Sequence, residues 1–299
     1  MQCPKCQFDH EAQTTECLKC GIVFAKYQRF HEALSTLPMP LEAVPGAPIT
    51  LQEARVELTY RLLALPVALV VARLLVGSPL APLVRIFVSM WVHEIGHAVT
   101  AWLCGFGAFP GPWLTPISSG RLPVITIALA VGMGWGILQA WRAQSWPLVA
   151  GGTALLLLQL VGTALPTARA QALIIFGGDA GCLVVGCLLM ATFYARRESP
   201  LYRGALRWGC LALGAAAFMD AFGTWWSARH DLERIPFGEN EGVGLSDPSL
   251  LLETYGWTIQ AMIHRYVWLG VVCLGALALL YVVGALRARA AVGMRQERG

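Results

Sequence analysis

Polar and apolar residues alternate along this 299-residue chain in long blocks rather than in short periods. A polar segment of about 35 residues opens the sequence, and a Pro-rich stretch follows it. Seven apolar blocks then lie at 58–77, 83–104, 122–141, 147–165, 171–195, 205–227 and 264–286. A helix of about 20 apolar residues crosses the hydrocarbon core of a bilayer, which is roughly 30 Å thick. The pattern therefore predicts an all-α polytopic membrane protein with six to seven transmembrane helices.

The composition agrees with this class. Hydrophobic residues make up 56% of the chain and charged residues 13%, and the mean hydropathy is +0.58. Soluble domains carry about 25% charged residues. The formal net charge of +4 is small and gives no indication of nucleic-acid binding. We expect the lipid bilayer, and no nucleic acid, among the partners of this chain.

The polar N-terminal segment holds two CxxC pairs, formed by Cys3 with Cys6 and by Cys17 with Cys20. Four thiolates so spaced suit one tetrahedral structural Zn²⁺, which would supply the folding energy that a segment of this size lacks. Two disulfides in an exported segment are the alternative. The segment resembles zinc-ribbon modules that open with CPKC and close with a CxxCG knuckle and an amphipathic helix, here Ile22 to Leu34. The resemblance implies a cytoplasmic N-terminus, and the ribbon is a candidate docking element for a protein partner.

The loop charges give an orientation. Arginines cluster at 196–207 and again at 287–299, so both segments are expected in the cytoplasm, and the acidic loop 228–262 is expected outside. No cleavable signal peptide is visible, and a bacterial inner membrane is the expected setting. Two cytoplasmic ends require an even number of crossings. The preferred solution demotes block 58–77, which Arg61 and Arg73 interrupt, to an interfacial or re-entrant segment; the alternative retains it and merges or half-inserts a later block.

These patterns divide the chain into four parts. A zinc ribbon occupies residues 1–35, a Pro-rich linker residues 36–57, a membrane domain residues 58–286 and a basic cytoplasmic tail residues 287–299. The Gly- and Pro-rich loop 105–120 carries no charge. Because its backbone cannot face lipid unsatisfied, it is either an external turn or a loop that dips into the protein near the active site.

The sequence HEIGH, at residues 93–97, lies in the middle of an apolar block. Residues four apart lie on one face of a helix, so His93 and His97 can direct ring nitrogens at the same Zn²⁺. Glu94 would then take a proton from the zinc-bound water and act as the general base. Ionisable groups inside a bilayer are costly and usually functional. The sequence therefore predicts a catalytic zinc in addition to the structural zinc of the ribbon.

A catalytic zinc takes three protein ligands. Asp179 is the favoured third ligand because Gly177, Gly178 and Gly181 surround it and would let the histidine helix come close. Asp220, which precedes an aromatic pair, is the alternative. The acids of loop 228–262 are weaker candidates, since a solvated role is the default for a hydrophilic loop.

With His93, Glu94 and His97 on a membrane helix and Asp179 beside glycines in a later one, the chain resembles the site-2 protease family of intramembrane zinc metalloproteases. The resemblance implies an endopeptidase that cleaves a membrane-embedded protein substrate, with His93, His97 and Asp179 as zinc ligands. The chain departs from the family pattern in two respects. Ala180, rather than Gly, follows the Asp, and two apolar blocks instead of one separate the two motif helices. A metal-ion transporter and a non-catalytic membrane adaptor are the alternative functions.

Overall fold

The computed structural model describes residues 2–9, 14–29, 50–197, 199–202, 205–240 and 244–296. The chain separates into two compact units, Met1–Ile49 and Thr50–Gly299. The linker prolines and the end of the predicted Ile22–Leu34 helix lie outside the described residues. Within the described part, that helix covers residues 24–29.

The first unit consists of two knuckles with the same backbone pattern. The amide of Cys3 donates to the carbonyl of Phe8, and the amide of Gln7 donates to the carbonyl of Cys3. Cys17 repeats this pattern with Ile22 and Gly21. Short antiparallel bridges, Gln2 to Asp9 and Glu16 to Val23, close the two knuckles. This repeat is the internal order expected of a ribbon.

The second unit is mostly helical. Its helices are α1 (Leu51–Val76), α2 (Met90–Leu103), α3 (Pro123–Arg142), α4 (Trp146–Ala164), α5 (Thr167–Ala191), α6 (Leu206–Ser227), α7 (Asp247–Glu253) and α8 (Ile259–Gln296). Two antiparallel hairpins join them, formed by β1 (Phe106–Ala108) with β2 (Ile117–Arg121) and by β3 (Glu239–Asn240) with β4 (Gly244–Leu245).

Helix α1 begins at Leu51 rather than at residue 58, because Thr50 and Glu53 form a capping box. Apolarity alone marks only the middle of such a helix. Arg61, one of the two arginines that interrupt the block, bonds to the Glu57 carboxylate at 2.7 Å, and Arg73 lies in the last turn. The 26-residue helix therefore runs without interruption past both arginines, and it is long and apolar enough to be a span, contrary to the preferred interpretation of block 58–77.

Five helices in the described part of the chain are long and apolar enough to cross a membrane. They are Leu51–Val76, Pro123–Arg142, Trp146–Ala164, Thr167–Tyr194 and Ile259–Gln296. Block 83–104 divides into a turn of α-helix, Ala81–Val84, a π-helical turn, Arg85–Ser89, and the 14-residue α2. Helix α6 is long enough, but Arg207, Asp220 and many small residues make it less apolar. The predicted count of six to seven crossings is not confirmed, although the chain is compatible with an integral membrane protein.

Helix α5 is the centre of the second unit. In its apolar window 56% of residues are buried, against none in the window of α3. Helix α5 packs against α2, α6 and α8, and α1 packs against α6 and α8, whereas α3 and α4 pair with each other. At the crossing of α5 with α6, Gly186 and Gly214 face one another so closely that a Cβ on either would meet the other's carbonyl oxygen. Helix α5 therefore provides the rigid wall against which α2 is held.

The described part of the predicted basic tail is helical. Helix α8 continues through residue 286 and ends at Gln296, so Arg287, Arg289 and Arg295 belong to a 38-residue helix. The acidic loop 228–262 also contains regular structure, namely the β3–β4 hairpin and α7. Helix α7 begins at Asp247, with Ser246 at the N-cap and Pro248 in the first turn.

Candidate metal centre

The two histidines of the HEIGH sequence lie on one face of α2. Their Nε2 atoms are 3.1 Å apart, and their rings meet edge to face with an interplanar angle of 84°. His97 is buried and His93 is partly buried. The spacing of four residues thus brings both Nε2 atoms to one point, as the sequence predicts.

Asp247, the first residue of α7, completes this group. Its Oδ2 atom lies 2.9 Å from Nε2 of His93 and 3.0 Å from Nε2 of His97. The ligand atoms of a tetrahedral zinc, with bonds of about 2.0–2.1 Å, lie about 3.3–3.4 Å apart. The three side chains are therefore close to the spacing that a metal ion requires, and they form one of the potential metal-binding groups of the described residues.

The hydrogen bonds of His97 fix which ring nitrogen faces the group. Its Nδ1 atom is 2.8 Å from the carbonyl oxygen of Ile174. Because a carbonyl only accepts, Nδ1 carries the proton, and in a neutral ring Nε2 presents a lone pair. Nδ1 of His93 makes a similar contact of 3.1 Å with the Asp179 carboxylate, and His93 is then oriented in the same way.

Two lone pairs and a carboxylate oxygen consequently face one another at 2.9–3.1 Å. Three acceptors this close repel one another unless a cation or additional protons lie between them. Burial raises the pKa of Asp247, but when the imidazoles carry the additional protons, the charge of His97 and hydrogen bonds from both rings outweigh burial and hold the pKa below its ordinary value. Asp247 therefore presents a carboxylate, the form that binds metals.

Asp179 lies on the other side of the His93 ring from Asp247. Its Oδ1 atom bonds to Nδ1 of His93, and its Oδ2 atom accepts a 2.7 Å hydrogen bond from the indole of Trp225. Trp225 is fully buried and stacks on Tyr266 with a centroid distance of 4.1 Å. Within the described residues Asp179 thus contacts the ring nitrogen that points away from His97. This is the position of a carboxylate that orients a histidine ligand.

Asp179 also belongs to a second group of potential ligand atoms, together with His93 and Cys182. The Cys182 thiol lies 3.6 Å from the carbonyl oxygen of Ser89 and donates to it. His93 belongs to both groups. Only the group of His93, His97 and Asp247 includes both histidines of the motif.

Asp220, the alternative third ligand, lies elsewhere. Its Oδ2 atom is 3.2 Å from Nε of Arg85, in the π-helical turn that precedes α2. Asp220 is not in any of the potential metal-binding groups of the described residues. Its ion pair with Arg85 gives this buried carboxylate a different partner.

Glycines provide the space in which the two histidines meet α5. A Cβ on Gly178 would lie 2.5 Å from Nε2 of His93 and 2.6 Å from Nε2 of His97. A Cβ on Gly96 would collide with the backbone of Gly177 and Gly181. The close approach of α2 to the glycines around Asp179, expected from the sequence, is confirmed.

Glu94 is buried beside His93 and contacts the Gly- and Pro-rich loop. The Thr115 hydroxyl lies 2.6 Å from Oε2 of Glu94 and 3.0 Å from its carbonyl oxygen. The loop therefore reaches into the protein at the HEIGH helix, the second of the two placements expected for it. The single hydroxyl hydrogen of Thr115 is donated to one of these two oxygens at a time. The hydrogen bond to Oε2 restrains the Glu94 side chain.

In the N-terminal unit, Cys3, Cys6, Cys17 and Cys20 form a cluster that could bind a metal ion. The Sγ atoms of Cys3 and Cys20 are 3.8 Å apart, and those of Cys6 and Cys17 are 3.6 Å apart. Zn–S bonds of about 2.3 Å in a tetrahedron place sulfurs about 3.8 Å from one another. Although burial raises the pKa of Cys17, hydrogen bonds from the amides of Cys20 and Lys19 lower it to about 6, which favours a thiolate.

None of the comparisons identifies a relative: no family model, no curated protein and no solved structure matches this chain. The chemistry of the site therefore follows from its own geometry. Sequence reasoning ranked Asp247, an acid of loop 228–262, among the weaker candidates, and it missed Thr115. For Asp247 the signal in the sequence is an acid followed by Pro248, a pair typical of a helix start. For Thr115 the signal is the uncharged character of its loop.

Proposed function

We propose that this protein is a zinc-dependent endopeptidase of the membrane, of the site-2 protease type. One observation carries the proposal: the Nε2 atoms of His93 and His97 and the Oδ2 atom of Asp247 meet at 2.9–3.1 Å. Two imidazoles and one carboxylate are the ligand set of several zinc hydrolases.

In this proposal the third zinc ligand is Asp247 rather than Asp179. Asp179 acts through His93, since a carboxylate on Nδ1 fixes the ring and raises its basicity. A zinc bound here would supply a Lewis acid and a bound water of lowered pKa. Glu94, adjacent to His93 and restrained by Thr115, accepts a proton from the attacking water and passes it to the leaving amine.

The charge distribution supports hydrolysis over ion transport. In the sequence from 58 to 227, the histidines are His93 and His97, and the acids are Glu94, Asp179, Glu198 and Asp220. A transport path would require further ionisable groups along several helices. The adaptor function offers no explanation for a buried glutamate next in sequence to His93.

The test is cleavage by the full chain reconstituted in liposomes. The probes are a fluorescently labelled single-span helix in the same bilayer and labelled casein in solution. We expect the wild type to cleave at least one probe and Glu94→Gln to lose about 10²–10⁴-fold in rate while retaining its zinc, because the general base alone is removed. Glu253→Gln, an exposed carboxylate of α7, is the matched control. A zinc-loaded wild type no faster than Glu94→Gln on both probes would contradict the proposal.

A further inference from the structure

A cavity of about 570 Å³ opens between the end of α1, the turn at Ala81–Arg85 and the end of α6. Three arginines from three separate segments line it, Arg73, Arg85 and Arg234, together with a single acid, Asp220. The wall also includes Thr224 and Ser227. The metal centre and its proposed chemistry use none of these six residues.

The charges of the cavity do not balance. Asp220 pairs with Arg85 at 3.2 Å, and Arg234 pairs at 3.1 Å with Asp231, whose side chain is about half exposed. Arg73 is exposed and has no ion pair within the described part of the chain. With Asp231 counted, three guanidinium groups meet two carboxylates, and the positive charge of Arg73 remains to attract an anion. A guanidinium group binds phosphate through two parallel hydrogen bonds.

The cavity also has room beside the arginines. A Cβ on Gly223 would contact no atom within 4 Å, so this wall is open. The Arg73 guanidinium lies over Gly77, because a Cβ on Gly77 would be 2.8 Å from Nη1 of Arg73. Arg73 is therefore held at the end of the apolar helix α1, the level at which headgroups meet hydrocarbon.

Apolar side chains flank the lining residues along the chain. Leu74, Leu83 and Phe87 expose 67%, 54% and 66% of their surface. An anionic phospholipid combines the two chemistries that this region offers partners for. Its phosphate would contact the arginines, and its acyl chains would contact the exposed leucine and phenylalanine side chains. A small phosphate would use the arginines and leave the apolar surface without a partner.

We propose that this cavity binds the phosphate-bearing headgroup of an anionic phospholipid, with the acyl chains lying along Leu74, Leu83 and Phe87. The inference does not depend on zinc or on proteolysis. It can fail while the proposed function stands, and it can stand while the proposed function fails.

The experiment measures binding of dioctanoyl phosphatidylglycerol to the delipidated full chain in detergent, by native mass spectrometry. Dioctanoyl phosphatidylcholine and inorganic phosphate are the comparison probes. The double variant Arg73→Gln/Arg234→Gln removes two exposed guanidinium groups and leaves the buried Asp220 paired with Arg85. Arg142→Gln, an exposed arginine at the end of α3, is the matched control.

We expect phosphatidylglycerol to bind the wild type and Arg142→Gln equally, and at least about tenfold more weakly to the double variant. We also expect phosphatidylglycerol to bind the wild type more tightly than phosphatidylcholine does, because choline adds a positive charge. Equal binding of phosphatidylglycerol by the wild type and the double variant would overturn the proposal. So would inorganic phosphate that binds as tightly as the lipid with the same dependence on arginine, since the ligand would then be a free phosphate.

Discussion

The Oδ2 atom of Asp247 lies 2.9 Å from Nε2 of His93, although 154 positions separate the two residues. Helix α7 places Asp247 there from a hydrophilic loop, whereas the two histidines come from α2 in an apolar block. The proposed zinc site is therefore assembled from a membrane block and a loop between blocks. Motion of that loop would change the number of ligands.

The first prediction separates the two aspartates by metal content. The second zinc is the one proposed at His93, His97 and Asp247. Asp247→Asn replaces a proposed ligand and should weaken binding of the second zinc by more than about 100-fold. Asp179→Ala removes only the group that orients His93 and should weaken binding of the same zinc by about 10–100-fold. Zinc per chain is measured after dialysis at several free zinc concentrations. Asp231→Asn, an exposed acid of the same loop, is the control.

The opposite ranking would return the third ligand to Asp179. A zinc bound by the four-cysteine cluster would provide an internal reference, because all three variants should retain it. Only Cys3→Ser, which alters the ribbon, should lose that zinc and leave the other one bound.

The second prediction concerns the space between α2 and α5. Gly178→Ala introduces a methyl group 2.5 Å from Nε2 of His93, so it should abolish binding of the second zinc. Gly96→Ala brings a Cβ against backbone rather than a flexible side chain, and should cost about 1–3 kcal/mol of stability. Zinc content and the thermal midpoint in detergent are the two measurements.

Gly132→Ala is the control for both glycine variants, since its Cβ would meet no atom within 4 Å. It should keep both zincs and gain stability, because alanine exceeds glycine in helix propensity by about 1 kcal/mol. Full zinc occupancy in Gly178→Ala would show that the metal lies elsewhere.

The third prediction tests the repeat in the ribbon. Gln7 and Gly21 occupy equivalent positions with φ of 58° and 69°, a left-handed conformation that strains a glutamine by roughly 1–2 kcal/mol. Glycine at position 7 removes that strain but costs about 0.5–1 kcal/mol of chain entropy. We expect Gln7→Gly to stabilise the ribbon by about 0.5–1 kcal/mol, or a two- to fivefold higher chelator concentration at half release of its zinc.

The reciprocal variant, Gly21→Gln, introduces the same strain in the second knuckle and should release its zinc at a lower chelator concentration. Both variants are measured in the full chain. If the two shift the midpoint in the same direction, the knuckles are not equivalent in solution.

The sequence by itself determined the local features of this protein. The spacing of His93 and His97 brings their Nε2 atoms together, because helix geometry fixes which residues share a face. The CxxC spacing likewise places the two cysteines of each pair on one tight turn, whereas the contacts of Cys3 with Cys20 and of Cys6 with Cys17 join the two turns. Long apolar blocks identified the candidate spans, but capping residues such as Thr50 and Glu53 set where the first of them begins.

Only the tertiary structure decided which acid joins the histidines. Asp179 and Asp247 both reach His93, one at each ring nitrogen. The glycines around Asp179 indicate how near this acid comes to the histidine helix, and they do not indicate which ring nitrogen of His93 it faces. The acid that joins both histidines depends on two further features. The carbonyl of Ile174 turns Nε2 of His97 toward the group, and the path of the loop before α7 brings Asp247 to it. Both are contacts between residues far apart in the chain, which hydrophobic pattern and local propensity do not encode.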